Sequence, residues 1–378
     1  MPRDNTRLGF VFLQVFSWEG GIQSYIRDVL RAYLAEPDAP PADVFLLRDG
    51  PQCDNPFEGS MLTFHYLDSP QSTVGRLRLA GALVKNLSAR KYQHVICGHV
   101  LLLPLIAPLC QLFKVPYTTM IYGKEVWNPV PLPQRKALQQ SAYIWANSRY
   151  SRDLACASNN LDASRFRMLP CIVNGQAFTP GEKKADLVKQ YGLENCRVLM
   201  TVARLWPGDI YKGVDVTIRA LPDIAQVFSN VKYLVVGRGE DQPRLAQLAA
   251  DLGVGDRVVF AGFVPDEALV DHYRLADAYV MPSKEGFGIV YLEAMACGVP
   301  VLSGNDDGSA DPLQDGRVGW RVPHRDPVAV ADACIDILKG DDRRCNGEWL
   351  RQETLAHFSA ESLQRAMKTL LKESFQVI

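Results

Sequence analysis

The chain has 378 residues, with 41 lysines and arginines against 42 aspartates and glutamates, and a formal net charge of −1. That length suits two domains of ordinary size, and the balanced charge removes any global electrostatic case for nucleic acid as a partner. No apolar run reaches the length of a spanning helix; the nine cysteines contain no C-x-x-C pair, so metal and redox readings are poor and buried free thiols in a reducing cytosol are the simpler account.

The first residues, Met1 to Arg7, lead directly into an apolar strand over 8–15 without the layout of a signal peptide, and a cytoplasmic location is expected. Gly20 and Gly21 then open a helix over 22–34. A glycine pair at a strand-to-helix turn lets the backbone approach a ligand closely, although a tight turn needs glycine too. Further strands are expected over 43–47, 62–66, 94–97, 117–121 and 143–146. The stretch 73–93 mixes Arg76, Arg78, Lys85, Arg90 and Lys91 with Leu77, Leu79, Leu83, Val84 and Leu87. Two readings of it stand: a basic helix lying on the inner face of an anionic bilayer, or a half-buried helix with a solvated face. Tyr122-Gly123-Lys124-Glu125 follows the fifth strand.

A Pro/Gly turn at Phe178-Thr179-Pro180-Gly181, followed by a charged run, marks a boundary. The expected division is 1–178, 179–358, and a last helix over 359–378 that is plausible as a plain capping helix. The second half repeats the pattern, with strands over 198–203, 233–236, 258–261, 278–281 and 299–302 and a helical period over 244–252. Such alternation argues for two open α/β domains with parallel sheets covered by helices, binding ligands at the carboxyl ends of the strands.

The richest segment runs Ser283-Lys284-Glu285-Gly286-Phe287-Gly288-Ile289 and on to Glu293 and Val301. A strand, a glutamate, a glycine-rich turn and a helix follow in order. The bare first N–H groups of such a helix suit phosphate. Glu293 lies about 7.5 Å further along a helix rising ~1.5 Å per residue, roughly the step from a diphosphate to its ribose. A carboxylate there can accept hydrogen bonds from the ribose hydroxyls. Upstream, Arg204 ends a strand and Lys212 precedes a helix. Two cations at that edge suit a diphosphate, although solvated charges are the ordinary reading of any arginine or lysine. Gly237 belongs to a Gly-x-Gly turn that lacks its third glycine and is a poor sign of a dinucleotide site. Asp306 and Asp307 invite a metal, but adjacent carboxylates point apart and an Asn/Asp/Gly turn is sufficient explanation.

The stretch E-G-F-G-x-x-x-x-E-A-M-A-x-G-x-P-V fills every signature position of the retaining glycosyltransferases of family four, and the chain resembles them, strongly over 195–340 and more loosely over 1–180. The resemblance implies a GT-B fold, two Rossmann-like doubly wound domains facing across a cleft, with the last helix crossing back to the first domain. It implies a retaining hexosyltransferase that moves a sugar from a UDP- or GDP-linked donor to a glycan or lipid-linked acceptor hydroxyl, in cell-surface polysaccharide or glycolipid assembly, with no metal or other cofactor. It assigns Glu285 to orienting the sugar, Arg204 and Lys212 to the departing diphosphate, and Glu293 to the ribose. Gly20, Gly21, Gly237, Val264 and the helix start Gly286, Phe287, Gly288 and Ile289 complete the donor side. The loop from Trp206 to Tyr211 is longer than the family's usual gap. The family carries a histidine close to the sugar where this chain has Tyr122, so Tyr122 and Glu125 are the acceptor-side candidates. Two alternatives remain open: a sugar-nucleotide epimerase of the same fold, and a non-catalytic sugar-nucleotide-binding protein.

Overall fold

The computed structural model describes residues 7–18 and 20–376. The chain forms two compact units, one of the residues up to Ile172 plus the C-terminal segment from Ala360, the other of Val173–Ser359.

The first unit holds β1 (Arg7–Phe12), β2 (Ala42–Leu46), β3 (Leu62–Tyr66), β4 (Tyr92–Cys97), β5 (Tyr117–Ile121), β6 (Tyr143–Ala146) and β7 (Phe166–Met168). They pair in parallel in the order β3-β2-β1-β4-β5-β6-β7. The second holds β8 (Arg197–Val202), β9 (Val231–Val236), β10 (Val258–Gly262), β11 (Ala278–Met281), β12 (Val301–Gly304) and β13 (Trp320–Val322). Its order, β10-β9-β8-β11-β12-β13, repeats that plan, again in parallel. Parallel strands need helical crossovers, which cover both faces, so central strands read as continuous apolar runs; β2 and β11 are buried along their whole lengths. The helix Gly21–Leu34 shows the complementary pattern, burying Tyr25, Ile26, Val29, Leu30 and Tyr33 on one face.

The strand order reverses between β1 and β4 in one unit and between β8 and β11 in the other. Those reversal points are where open α/β sheets bind ligands.

Several boundaries differ from the periodicity. β1 stops at Phe12, short of residue 15, because the buried Asp49 carboxylate takes the N–H groups of Val15 (2.6 Å), Phe16 (3.1 Å) and Ser17 (2.8 Å) away from the ladder. β7 and β13 were not expected at all; each is three residues with an arginine in the middle, too short to show a period. The basic stretch 73–93 is a helix only over Ser72–Ser88; Arg90 turns the chain at φ 52° and β4 begins at Tyr92. The second unit starts ahead of the Pro/Gly turn, since Val173 N–H donates to Phe358 O (2.9 Å) and joins that unit.

The last helix, Ala360–Gln376, packs on the helix Gly21–Leu34 and on β4. It buries Leu363, Met367, Leu370 and Leu371, and Lys368 pairs with Glu36 at 3.3 Å. No helix among the described residues is long and apolar enough to cross a membrane.

Candidate active site

In the second unit, β8 and β11 end side by side, and the loops after them carry the charges. The Lys212 ammonium is hydrogen-bonded to the Glu285 carboxylate. Burial pulls the Lys212 pKa down, but the Glu285 charge and neighbouring Tyr211 outweigh it, and the net shift is upward. Gly213, at φ 77°, brings the end of the Lys212 loop against the end of β11. A Cβ there would sit 2.6 Å from the Pro282 carbonyl. Asp215, on the helix that follows, is buried and held by both Nη groups of Arg325 (3.0 and 2.5 Å). The long loop thus folds back at its C-terminal end.

Arg204 keeps an exposed side chain (70%). Its Nε donates to the buried Asp209 (2.7 Å) and its guanidinium lies 5.6 Å from the Trp206 ring. Both Nη groups have no hydrogen-bond partner among the described residues, and they present the planar fork that suits a diphosphate.

The turn after β11 is fixed from below. Asp307, buried, accepts from Glu285 N–H (2.8 Å), Ser309 N–H (2.9 Å) and the Ser309 hydroxyl. Burial pushes its carboxyl up to about 6 even against those hydrogen bonds. Gly308 N–H donates in turn to Glu285 O (2.8 Å). Asp306 faces the other way, toward Lys284 (3.1 Å). The adjacent carboxylates thus serve different partners.

Gly288, at φ 92°, precedes the helix Ile289–Ala296, whose N-terminus has no side-chain cap. Phe287 is buried and packs edge-on against Phe358 (5.9 Å). It is an anchor for the turn. Glu293, half-buried one helical turn on, accepts from the Tyr273 hydroxyl (2.6 Å). Burial pushes its carboxyl up to about 7, with Tyr273 pulling it back only in part.

Gly237 has a different explanation from ligand approach. A Cβ on it would sit 1.9 Å from the Ala203 carbonyl, and one on Gly239 1.8 Å from that of Leu205. The Gly-x-Gly turn is therefore shaped first by the backbone beside Arg204. Val264 is buried, and its exposed neighbour Phe263 stacks with Arg238 (4.7 Å).

In the first unit, Gly20 and Gly21 open the helix Gly21–Leu34, again without a side-chain cap. A Cβ on Gly21 would meet nothing within 4 Å, so no packing among the described residues demands glycine there. Tyr122 is buried, its hydroxyl donating to Gly98 O (2.5 Å) and its N–H to the Glu125 carboxylate (2.5 Å). Burial holds the Tyr122 hydroxyl well above the usual phenol range and also raises Glu125. Both acceptor-side candidates are committed to the turn after β5.

A family model for glycosyl transferases group 1 matches residues 196–340, the stretch that carries all the second-unit groups above. A GDP-mannose-dependent alpha-(1-6)-phosphatidylinositol monomannoside mannosyltransferase from Mycolicibacterium smegmatis is 34% identical over 59% of this chain and 60% of its own length. Its counterpart from Mycobacterium tuberculosis is 33% identical over 64% of this chain and 68% of that protein. The chain belongs to the glycosyl transferases group 1 family. The matched stretch spans about 60% of the first of these relatives. The crystal structure of Anabaena HepE in complex with UDP superposes with a TM-score of 0.79 at 20% identity, covering 97% of this chain and 99% of that one. That likeness carries the fold, which is GT-B.

In this glycosyl transferase the structure brings Arg204, Lys212, Glu285 and the Gly286–Ile289 turn to one sheet edge, with Glu293 along the following helix. It leaves Tyr122 and Glu125 within the first unit's own framework. Three residues to which the sequence assigned no site role now have a position. Asp307 holds the Glu285 turn, Asp49 holds the loop before Gly20, and His99 lies beside Tyr122, ring centroids 6.1 Å apart. None belongs to a motif; each acts through partners distant in sequence or by lying at a strand end.

Proposed function

We propose that the protein is a retaining hexosyltransferase that transfers a sugar from a nucleotide sugar to an acceptor hydroxyl in glycolipid or cell-surface polysaccharide assembly. The observation that carries the reading is the Lys212–Glu285 pair at the end of β11, with the Arg204 fork on the same edge and the uncapped Gly288 turn beneath. Arg204, Lys212 and the Ile289 N–H would stabilise negative charge growing on the departing diphosphate, usually the largest catalytic contribution. Glu293 would accept from the ribose hydroxyls, and Glu285, already oriented by Lys212 and Asp307, would hold the sugar. Gly20 and Gly21 would leave the start of the helix Gly21–Leu34 open to a ligand, and the backbone around Gly237 and Val264 would border the base.

No carboxylate is required as a covalent nucleophile. In a same-face displacement the acceptor oxygen bonds to the anomeric carbon as the bond to phosphate breaks, and the acceptor's proton passes to the departing phosphate oxygen. No metal ion is given a role. The relatives named for GDP-mannose and phosphatidylinositol monomannoside make those the first donor and acceptor to try; no observation favours an epimerase. Peripheral membrane contact fits the exposed face of the helix Ser72–Ser88, where Leu77 and Val84 stand between Arg76, Arg78 and Lys85.

The test is thermal stabilisation by UDP, GDP and ADP, each against Glu293→Ala. A ligand at ~100-fold its dissociation constant stabilises by about 2.7 kcal/mol. One nucleotide should raise the parent's transition and lose that effect in the variant. No shift with any of them would sink the nucleotide-sugar reading.

A further inference from the structure

We infer that His99 is an acceptor-contacting residue of the first unit, its Nε2–H donating to a hydroxyl oxygen of the acceptor; this rests on the transferase reading above. His99 follows β4 directly, at the point where the first sheet's strand order reverses. Gly98 makes that point tight. Its N–H donates to Val11 O (2.8 Å), and a Cβ on it would fall 2.1 Å from the Phe12 ring. The Tyr122 hydroxyl then ties Gly98 O to the end of β5. Three strand ends are thereby locked together, and His99 is the next side chain.

The imidazole is set for one task. Nδ1 accepts the Leu101 N–H (3.1 Å), so in the neutral ring the proton sits on Nε2. Burial, helped by the nearby Arg48 charge, pulls its pKa down to about 4, so the ring is neutral at physiological pH. Nε2 has no hydrogen-bond partner among the described residues, and the residue is only half-buried. A neutral donor with a fixed tautomer matches an uncharged hydroxyl oxygen better than a phosphate, which would favour a cation. Tyr122, its hydroxyl already taken, serves as a positioning residue for His99 through its bond to Gly98.

His99 also caps the short turn Val100–Leu102, and a purely structural role would end there. His99→Asn separates the two, because asparagine can still accept from Leu101 N–H but lacks the Nε2 donor. Three properties are measured on the full chain: stabilisation by GDP and UDP; hydrolysis of GDP-mannose and UDP-glucose, with water as acceptor; and transfer to phosphatidylinositol monomannoside in detergent micelles. The variant should keep its melting temperature and its nucleotide stabilisation while kcat/KM for transfer falls about tenfold, as one lost hydrogen bond of about 1.4 kcal/mol gives. Intact hydrolysis with reduced transfer is the expected result; an equal fall in hydrolysis overturns the acceptor contact. Both rates within twofold of the parent overturn the inference. Where the parent gives no measurable rate, the His99 imidazole resonances decide, and an Nε2–H signal unmoved by the micellar acceptor also overturns it. Loss of nucleotide stabilisation in the parent, by contrast, is failure of the transferase reading itself.

Discussion

Glu293, which the resemblance assigns to the ribose, sits half-buried on an apolar helix. Its carboxyl is held near 7 by burial on a helix whose face is otherwise apolar. The folded protein therefore keeps a proton between about pH 4.5 and 7 that the unfolded chain has released, so this group's contribution to stability falls as pH rises through that window. Glu293→Gln should remove that slope and leave the ligand-free protein as stable as the parent, or more so, above pH 7; denaturant unfolding at pH 5.5 and 8 reads this directly. Ribose hydroxyls donate and so favour the charged form. Nucleotide affinity of the parent should accordingly rise between pH 6 and 8 by more than that of Glu293→Gln. Parallel pH profiles for the two proteins would remove Glu293 from the site. The motif already pointed to Glu293; the raised carboxyl comes from burial among elements distant in sequence, only partly offset by the Tyr273 hydroxyl twenty residues upstream, and was not legible.

Elements position these groups from a distance. The turn after β11 looks self-sufficient in sequence, with its glycines and its helix, yet its conformation rests on Asp307 from the end of β12. Asp307→Asn would turn an amide N–H toward a backbone donor in place of a carboxylate oxygen. One buried donor left unsatisfied costs about 1–3 kcal/mol, which for a domain of this size lowers the melting temperature by roughly 2–4 °C per kcal/mol. Because the turn carries Glu285 together with the Gly286–Ile289 backbone proposed for the diphosphate, transfer should fall tenfold or more and nucleotide affinity should fall with it by a smaller factor. An equal loss of both would mean that Asp307 supports the whole unit. The loop Trp206–Tyr211 is the converse case. Its extra length put Lys212 in doubt from sequence, and the geometry resolves it: Gly213 against Pro282, and Asp215 clamped by Arg325, return the ammonium to Glu285.

At the scale of the molecule, the C-terminal helix is part of the first unit although it is last in the chain. Ending the chain at Ser359 would expose the faces against which Leu363, Met367, Leu370 and Leu371 are buried. At about 1.5–3 kcal/mol per side chain, the loss is on the order of 6–12 kcal/mol, comparable with the whole stability of a typical domain at about 5–15 kcal/mol. The truncated chain should show no cooperative melting of its first unit; an unchanged melting profile would mean that the helix is a passenger.

What the sequence by itself determined about this glycosyl transferase is local: the alternation of apolar runs and helical periods that demands parallel sheets, and the glycine-rich turn with a glutamate on either side. Both are written within windows of some twenty residues, where periodicity and backbone freedom act. Tertiary structure alone decided that β7 and β13 join the sheets, that Tyr122 is a strut, that His99 stands free beside it, and that Asp49 and Asp307 hold the two glycine loops. Those facts depend on which strands lie side by side. A 3-2-1-4 strand order brings together residues that no local pattern connects.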